Sequence, residues 1–178
     1  MNPILIIEKY YKKSSDLYRL LVCHSRQVAD KAVEICQKHT ELNADLQFVE
    51  QAAMLHDIGI FLCHAPSIFC FGEHHYIEHG YLGAQILENE GFTRHALVAQ
   101  RHTGTGISLE EIIERNLPLP HQDFCPISIE EKIICYADKF FSKSKPEKEL
   151  STDEIRKKLR KIDEKKLIIF DKWNEMFC

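Results

Sequence analysis

The sequence predicts an all-α protein, and three observations support that prediction. Apolar residues recur at helical spacing along nearly the whole chain, capping residues precede these stretches, and neither a hairpin turn nor a convincing alternating strand is evident. The 178 residues are enough for one domain that buries about two-thirds of its unfolded surface. We therefore expect a single domain over residues 1–178, with a core at about 15–143 and a helical extension over 150–178.

The first two helices follow from proline placement and capping residues. Pro3 suits a first helical turn, and the apolar positions after it predict a short helix that ends near Lys13. Residues 14–16, Ser-Ser-Asp, are suitable N-caps for a second helix. The apolar stripe of that helix runs from Leu17 to Ile35 and includes His24. An imidazole on a buried face needs a partner.

The third helix is expected to deliver an adjacent His-Asp pair. Asn43 or Asp45 can cap it, and its apolar face ends at His56 and Asp57. Residues 59–76 have no clear period, and we interpret them as a long loop that forms a lid or a binding wall.

Helical spacing returns after this loop. A helix is predicted at about 77–89, with His79 in its first turn. Thr93 is expected to cap the next helix, which closes at His102, and Ser108 to start another.

The C-terminal third predicts two further helical stretches. Ser128 and Glu131 have the spacing of a capping box, and the helix that follows carries Asp138. In the extension, acidic residues surround the basic run 157–161, so we expect a solvated amphipathic helix. Its aromatic residues are expected to pack onto the domain or onto a second subunit, which leaves a homodimer open.

Charge and cysteine content limit the possible partners and location. The formal charge of −4 gives no indication of a general nucleic-acid or membrane partner. No stretch is long and apolar enough to cross a membrane, and residues 1–20 lack the pattern of a signal peptide. With an odd number of cysteines, seven, we expect reduced thiols and a cytoplasmic protein.

Six histidines and aspartates are the candidate metal ligands. They lie at the ends or on the apolar faces of the predicted helices, and they are His24, His56, Asp57, His79, His102 and Asp138. Imidazole and carboxylate ligands without thiolate favour a borderline or hard divalent cation, such as iron, manganese, nickel, zinc or magnesium. A single buried histidine is more often a satisfied core residue, so the prediction depends on the whole set.

The pattern resembles the HD-domain metal-dependent phosphohydrolases. The matching stretches are His24-Ser25, Leu55-His56-Asp57-Ile58-Gly59 and Ala137-Asp138, and the resemblance covers roughly residues 20–143. His79-Gly80 and His102-Thr103-Gly104 further resemble the two-metal branch that includes diadenosine tetraphosphate hydrolases.

The resemblance implies a ligand scheme and a reaction. One metal would be held by His24, His56, Asp57 and Asp138, and a second by His79 and His102, with Asp57 bridging. It also implies hydrolysis of a small phosphorylated substrate, a nucleotide or a related phosphate ester, by a hydroxide generated on the metal.

One departure from the family concerns the cation that binds phosphate. Many members have a lysine directly after the glycine of the His-Asp motif, whereas this chain has Ile60. Arg101 is then the first candidate, followed by Lys139 and Lys143. With Asp57, we therefore expect Arg101 and Lys139 to be the catalytic residues, although a solvated surface charge is an equally good interpretation of each cation.

Three alternatives remain open at this stage. Some helical His-Asp proteins with two irons activate oxygen, and the resemblance allows that class. The missing lysine also allows a non-catalytic regulatory module that binds metal or nucleotide. A zinc site in the loop, from residues such as Cys63 and Cys70, is less favoured because the spacing is not that of a zinc knuckle.

Overall fold

The computed structural model describes residues 1–145 and 147–178. The chain is 64% helical, which confirms the all-α prediction. Nine α-helices lie within the described residues: α1 (Pro3–Tyr10), α2 (Asp16–Lys38), α3 (Leu46–Leu55), α4 (His79–Asn89), α5 (Thr93–Arg101), α6 (Leu109–Glu114), α7 (Ile129–Asp138), α8 (Thr152–Ile162) and α9 (Glu164–Phe177). None of these helices combines the length and apolar character that a membrane crossing requires.

Side-chain caps fix most helix starts, largely where the sequence predicts them. A side-chain oxygen accepts a hydrogen bond from the first turn at Asn2, Ser15, Asp45, Ser108, Ser128, Ser151 and Asp163. Asn43 instead adopts a left-handed conformation with φ of 51°, so Asp45 is the cap of α3. Thr93 is the first residue of α5 and not its cap, a place taken by Phe92.

The helices enclose a continuous apolar core. Helix α2 packs against α3 and α7, and α4 packs against α5. The C-terminal pair α8 and α9 continues this core, because Phe170, Trp173 and Phe177 are buried and Phe170 stacks on Tyr136 of α7. The aromatic residues of the tail therefore pack back onto the helices that carry the candidate ligands.

The segment predicted as a long loop has short regular structure. It contains 3-10 turns at Ile60–Leu62, Pro66–Ile68 and Tyr76–Glu78, and strand β1 (His64–Ala65) pairs antiparallel with β2 (Cys70–Phe71). Two-residue strands are too short to produce an alternating pattern, which explains why the sequence gives no sign of this hairpin.

Candidate metal centre

All six predicted ligands meet in one buried cluster. Five helical segments deliver them, and each residue is at most 9% exposed: His24, His56, Asp57, His79, His102 and Asp138. His24 lies within α2, while the other five lie at or next to helix ends, where a side chain can point along the helix axis into the centre of the bundle.

One group of ligands surrounds the Oδ2 atom of Asp57. Oδ2 lies 3.2 Å from Nε2 of His24 and 3.0 Å from Nε2 of His56. Asp138 borders this group, because its Oδ1 is 3.0 Å from Nε2 of His24 and 3.6 Å from Nε2 of His56. His24, His56 and Asp57 are close enough to share one cation.

A second group surrounds the other oxygen of the same carboxylate. Asp57 Oδ1 lies 3.3 Å from Nε2 of His79 and 3.4 Å from Nε2 of His102. These three residues are also close enough to share a cation. Asp57 thus presents one oxygen to each group, which is the arrangement of a bridging carboxylate.

The backbone fixes which ring nitrogen of three histidines is free. The Nδ1 atoms of His56, His79 and His102 each donate a hydrogen bond to the carbonyl three residues earlier, at 2.6, 2.6 and 2.7 Å. A carbonyl oxygen can only accept, so in the neutral form of each ring the proton sits on Nδ1 and Nε2 keeps its lone pair. All three Nε2 atoms then face Asp57 as potential metal ligands.

The contacts within the second group indicate that it can bind a cation. Nε2 of His79 lies 3.0 Å from Nε2 of His102, and neither has a proton to donate while both Nδ1 atoms bind carbonyls. Two lone pairs and a carboxylate oxygen that converge in a buried space repel one another unless a cation lies between them. The residues present therefore fit a divalent metal.

The first group attracts positive charge just as strongly. Burial alone would lower the pKa of His56, but the charges of Asp57 and Asp138 outweigh it and raise that pKa to about 9. Burial would raise the pKa of Asp57, yet His56 and Lys143 hold it well below its usual range. Asp57 is therefore ionised in a site where a cation is the natural counter-charge.

In the second group, the effect of burial on the histidines outweighs the charge of Asp57. Burial lowers the pKa of His79 to about 3, assisted by the neighbouring His102, and it also lowers the pKa of His102. Both rings are neutral near pH 7, which is the state that a metal requires.

Two glycines allow the segments that carry the ligands to approach closely. A Cβ on Gly59 would lie 2.3 Å from the carbonyl oxygen of His79, and a Cβ on Gly80 would lie 2.6 Å from that of Ala99. Because both obstacles are backbone atoms, any side chain here would push α4 away from α5 or from the His-Asp turn. Gly59 and Gly80 therefore allow the segments that carry the ligands to pack closely against one another.

Comparison with known proteins identifies the family. The HD domain family matches residues 21–142, more than half of the chain and including all six ligands. This chain belongs to the HD domain family. The HD domain implies the superfamily of metal-dependent phosphohydrolases, in agreement with the resemblance in the sequence. No solved structure matches the chain significantly.

Relatives of this HD domain protein differ in length. An uncharacterized protein of Methanocaldococcus jannaschii is 37% identical over 144 residues, which cover 79% of this chain and 76% of that protein. Proteins called tRNA (cytidine(56)-2'-O)-methyltransferase from Thermoplasma volcanium and Picrophilus torridus are 34% and 32% identical, over 85% and 73% of this chain. The match spans only 40% and 34% of those two proteins, so most of each lies outside it.

The distances of the three candidate cations from the metal ligands do not follow the order expected from the sequence, which put Arg101 first. The guanidinium of Arg101 pairs with Glu131 at 3.2 Å, and both side chains are largely buried. Nζ of Lys143 lies 2.6 Å from Asp57 Oδ2, and Nζ of Lys139 lies 3.0 Å from Asp138 Oδ2. Lys143, the last of the three candidates, is therefore the cation in direct contact with the central carboxylate, and Ile60 is buried apolar core.

A cleft of about 480 Å³ opens beside the metal centre. Asp138, Lys139 and Lys143 line it on the side of the metal centre, together with Tyr76, whose ring stacks on His79. The sequence pattern did not single out Tyr76, because an aromatic residue in an aperiodic segment carries no positional signal. The basic helix α8 forms another wall.

The loop histidines and cysteines form no comparable cluster. Within residues 1–145 and 147–178, the groups of three or more ligands able to hold a metal are the two around Asp57. Cys63 and Cys70 are fully buried, and burial raises the pKa of each thiol, to about 12 and about 11. Both cysteines therefore pack within the protein interior.

Proposed function

We propose that this HD domain hydrolyses a phosphate ester of a nucleotide or a related small molecule, with two divalent cations held around Asp57. The observation that supports this most strongly is the division of the carboxylate. Oδ2 faces His24 and His56, whereas Oδ1 faces His79 and His102. Such a bridge favours the two-metal branch that resembles diadenosine tetraphosphate hydrolases.

The protein's own residues have separate tasks in this scheme. Two bound divalent cations would polarise the phosphoryl group and lower the pKa of a water molecule. Asp57 and the histidines hold the cations, with Asp138 completing the first site. The backbone carbonyls that bind Nδ1 of three histidines keep those rings in the orientation that binding requires.

Lys143 is the residue to which we assign phosphate binding, with Lys139 beside it. Its ammonium is buried, and the charges of Asp57 and Asp138 raise its pKa in spite of that burial, so it is protonated at pH 7. Lys143 would contact phosphoryl oxygens with its positive charge once the charge of Asp57 is shared with bound divalent cations. It thereby replaces the lysine that many family members have after the glycine.

The names of two relatives raise RNA as an alternative substrate. Those proteins are called tRNA methyltransferases, and the present chain matches less than half of each. The net charge of −4 favours a small phosphate ester, since a general RNA-binding surface is usually basic. A tRNA transcript therefore belongs in the test as a second class of ligand.

The test is nucleotide hydrolysis by protein reconstituted with manganese, iron, nickel, zinc or magnesium. Products are followed both as inorganic phosphate and as shorter nucleotides separated by chromatography, because a dinucleoside polyphosphate can be cleaved into two nucleotides without releasing phosphate. The substrates are dinucleoside polyphosphates and nucleoside mono-, di- and triphosphates, and metal per chain is measured by elemental analysis. We expect close to two metals per chain and hydrolysis of a nucleotide substrate. The His102→Ala variant is the matched control, because it removes one ligand of the second site and leaves the first site complete.

Other results would point elsewhere. Two irons per chain with oxygen uptake and no nucleotide hydrolysis would favour an oxygen-activating enzyme. Tight nucleotide binding without turnover under any metal would favour a regulatory module. Salt-sensitive tRNA binding with no nucleotide turnover would favour an RNA partner. Each of these outcomes would overturn the proposed hydrolase.

A further inference from the structure

Helix α8 forms one wall of the cleft beside the ligand cluster. It contributes the apolar residues Ile155 and Leu159 together with Lys158, and Lys139 and Lys143 from the segment after α7 also line the cleft. A volume of about 480 Å³ lies within the range of small-molecule sites. The cleft is therefore large enough for an organic ligand and not only for a phosphate ion.

This wall is not part of what the family match describes. The HD domain family matches residues 21–142, whereas α8 begins at Thr152. The metal centre lies within the matched residues, whereas the α8 face of the cleft lies outside them. A wall outside the part that defines a fold family is a place where substrate choice can be set.

Lys158 is a cation at the cleft, and no carboxylate among the described residues pairs with it. Along the described residues of α8, ion pairs involve Arg156, Asp153 and Glu154, whereas Lys158 is exposed and lines the cleft. The other two lysines of the cleft each contact a carboxylate of the metal centre. Lys158 thus supplies a second point of positive charge, on a different wall.

An exposed apolar residue accompanies this lysine. Ile162 is 59% exposed and also lines the cleft, at the last turn of α8. Ile155 and Leu159 are buried beneath the same face, at 2% and 5% exposure, and anchor the helix to the core. An apolar surface next to an unpaired cation suits a ligand with both a ring and a negative charge.

We propose that α8 is the specificity wall of the cleft: Ile162 contacts an apolar ring of the substrate and Lys158 binds an anionic group distinct from the phosphoryl group at Lys143. This inference rests on the proposed function for the position of that phosphoryl group. The substrate class is then an organic phosphate that carries a ring and at least two anionic groups, such as a nucleoside diphosphate.

The test measures binding without turnover. The probes are α,β-methylene ADP and adenosine 5′-thiomonophosphate, titrated calorimetrically into manganese-loaded protein. We expect the first probe to bind about fivefold more tightly, and Lys158→Ala to abolish that difference, because one charge-assisted contact is lost at a partly solvated site. Lys161→Ala is the matched control, since Lys161 is exposed on the same helix and does not line the cleft.

A second pair of variants tests the apolar contact. Ile162→Ser should weaken both probes about threefold, whereas Ile168→Ser on α9, where the isoleucine is 50% exposed and lies outside the cleft, should leave both unchanged. Equal affinity of the two probes for the unmodified protein, no binding of either, or equal effects of Lys158→Ala and Lys161→Ala would each overturn the assignment of α8.

The two proposals fail in distinguishable ways. Binding that depends on Lys158 but is accompanied by no hydrolysis of any nucleotide would refute the hydrolase and support the specificity wall. Nucleotide hydrolysis that is unchanged in both Lys158→Ala and Ile162→Ser would support the hydrolase and refute the wall.

Discussion

The ligand cluster and the cleft beside it are built by different means. In the cluster, most of the buried side chains lie at helix ends, and three of the histidines are held by hydrogen bonds to carbonyls three residues earlier. In the cleft, the walls come from the 3-10 turns, from the end of α7 and from α8. The comparison shows that the orientation of the metal ligands is set largely by their own helices. The lining of the cleft instead depends on contacts between segments that are distant in the sequence.

This difference explains what the sequence could predict. Helical spacing placed His24 on the buried face of α2, and apolar runs ending in His56-Asp57 and Asp138 predicted buried ligands at helix ends. The family match includes these residues. Periodicity is a local property, and it therefore identifies residues whose positions are fixed by their own helix.

The cations show where this reasoning stops. Arg101 lies at the end of the predicted helix beside His102, which made it the first choice, yet its guanidinium binds Glu131 of α7. Lys143 lies in a segment without helical period, and only the tertiary structure brings its ammonium to Asp57. A long flexible side chain can reach several partners on other helices or loops, and the neighbouring sequence does not indicate which of them it contacts.

The largest effect is expected from removing the carboxylate that both groups share. Asp57→Ala should abolish binding of both metals and lower activity by more than about 100-fold, because each site loses a ligand. It should also reduce stability by roughly 3–5 kcal/mol in metal-free protein, since buried positive charge loses its partner. Elemental analysis and urea unfolding measure the two effects.

Substitutions of the histidines in the second group are the controls for the metal content of Asp57→Ala. His79→Ala and His102→Ala should each lower the metal content towards one per chain and leave the first metal bound. If Asp57→Ala retained two metals while remaining folded by circular dichroism, the bridging assignment would be wrong.

The next effect in size distinguishes the two candidate cations. Lys143→Ala should lower kcat/KM for a nucleotide substrate by about 100-fold, because a buried charge-assisted contact with the phosphoryl group is lost. Arg101→Ala should lower stability by about 1–3 kcal/mol through loss of the Glu131 pair and change kcat/KM by less than about threefold. The opposite order of the two kinetic effects would restore Arg101 as the phosphate-binding residue.

The smallest effect concerns a histidine that is largely buried but lies outside the cluster. His95 packs edge-on against Phe48 and Phe92, with ring centroids 4.9 and 5.7 Å away. Burial, and then the charge of Arg94, lower the pKa of His95 to about 4, against about 6.5 in an unfolded chain. The folded protein therefore binds this proton less readily than the unfolded chain. Its stabilising contribution is complete above about pH 6.5 and is lost as the pH falls towards 4.

In chelator-treated protein, we expect unfolding free energy to fall by about 1 kcal/mol more between pH 7 and pH 5 than in a His95→Leu variant, after allowance for partial exposure. Urea unfolding at the two pH values provides the measurement. The metal content of His95→Leu at pH 7 should equal that of the unmodified protein. If His95→Leu lost as much metal as His102→Ala, His95 would be a metal ligand, and packing against aromatic rings would not identify a core histidine. Equal metal content would support a facing carboxylate, which His24, His56, His79 and His102 share, as the feature that separates a ligand from a core histidine.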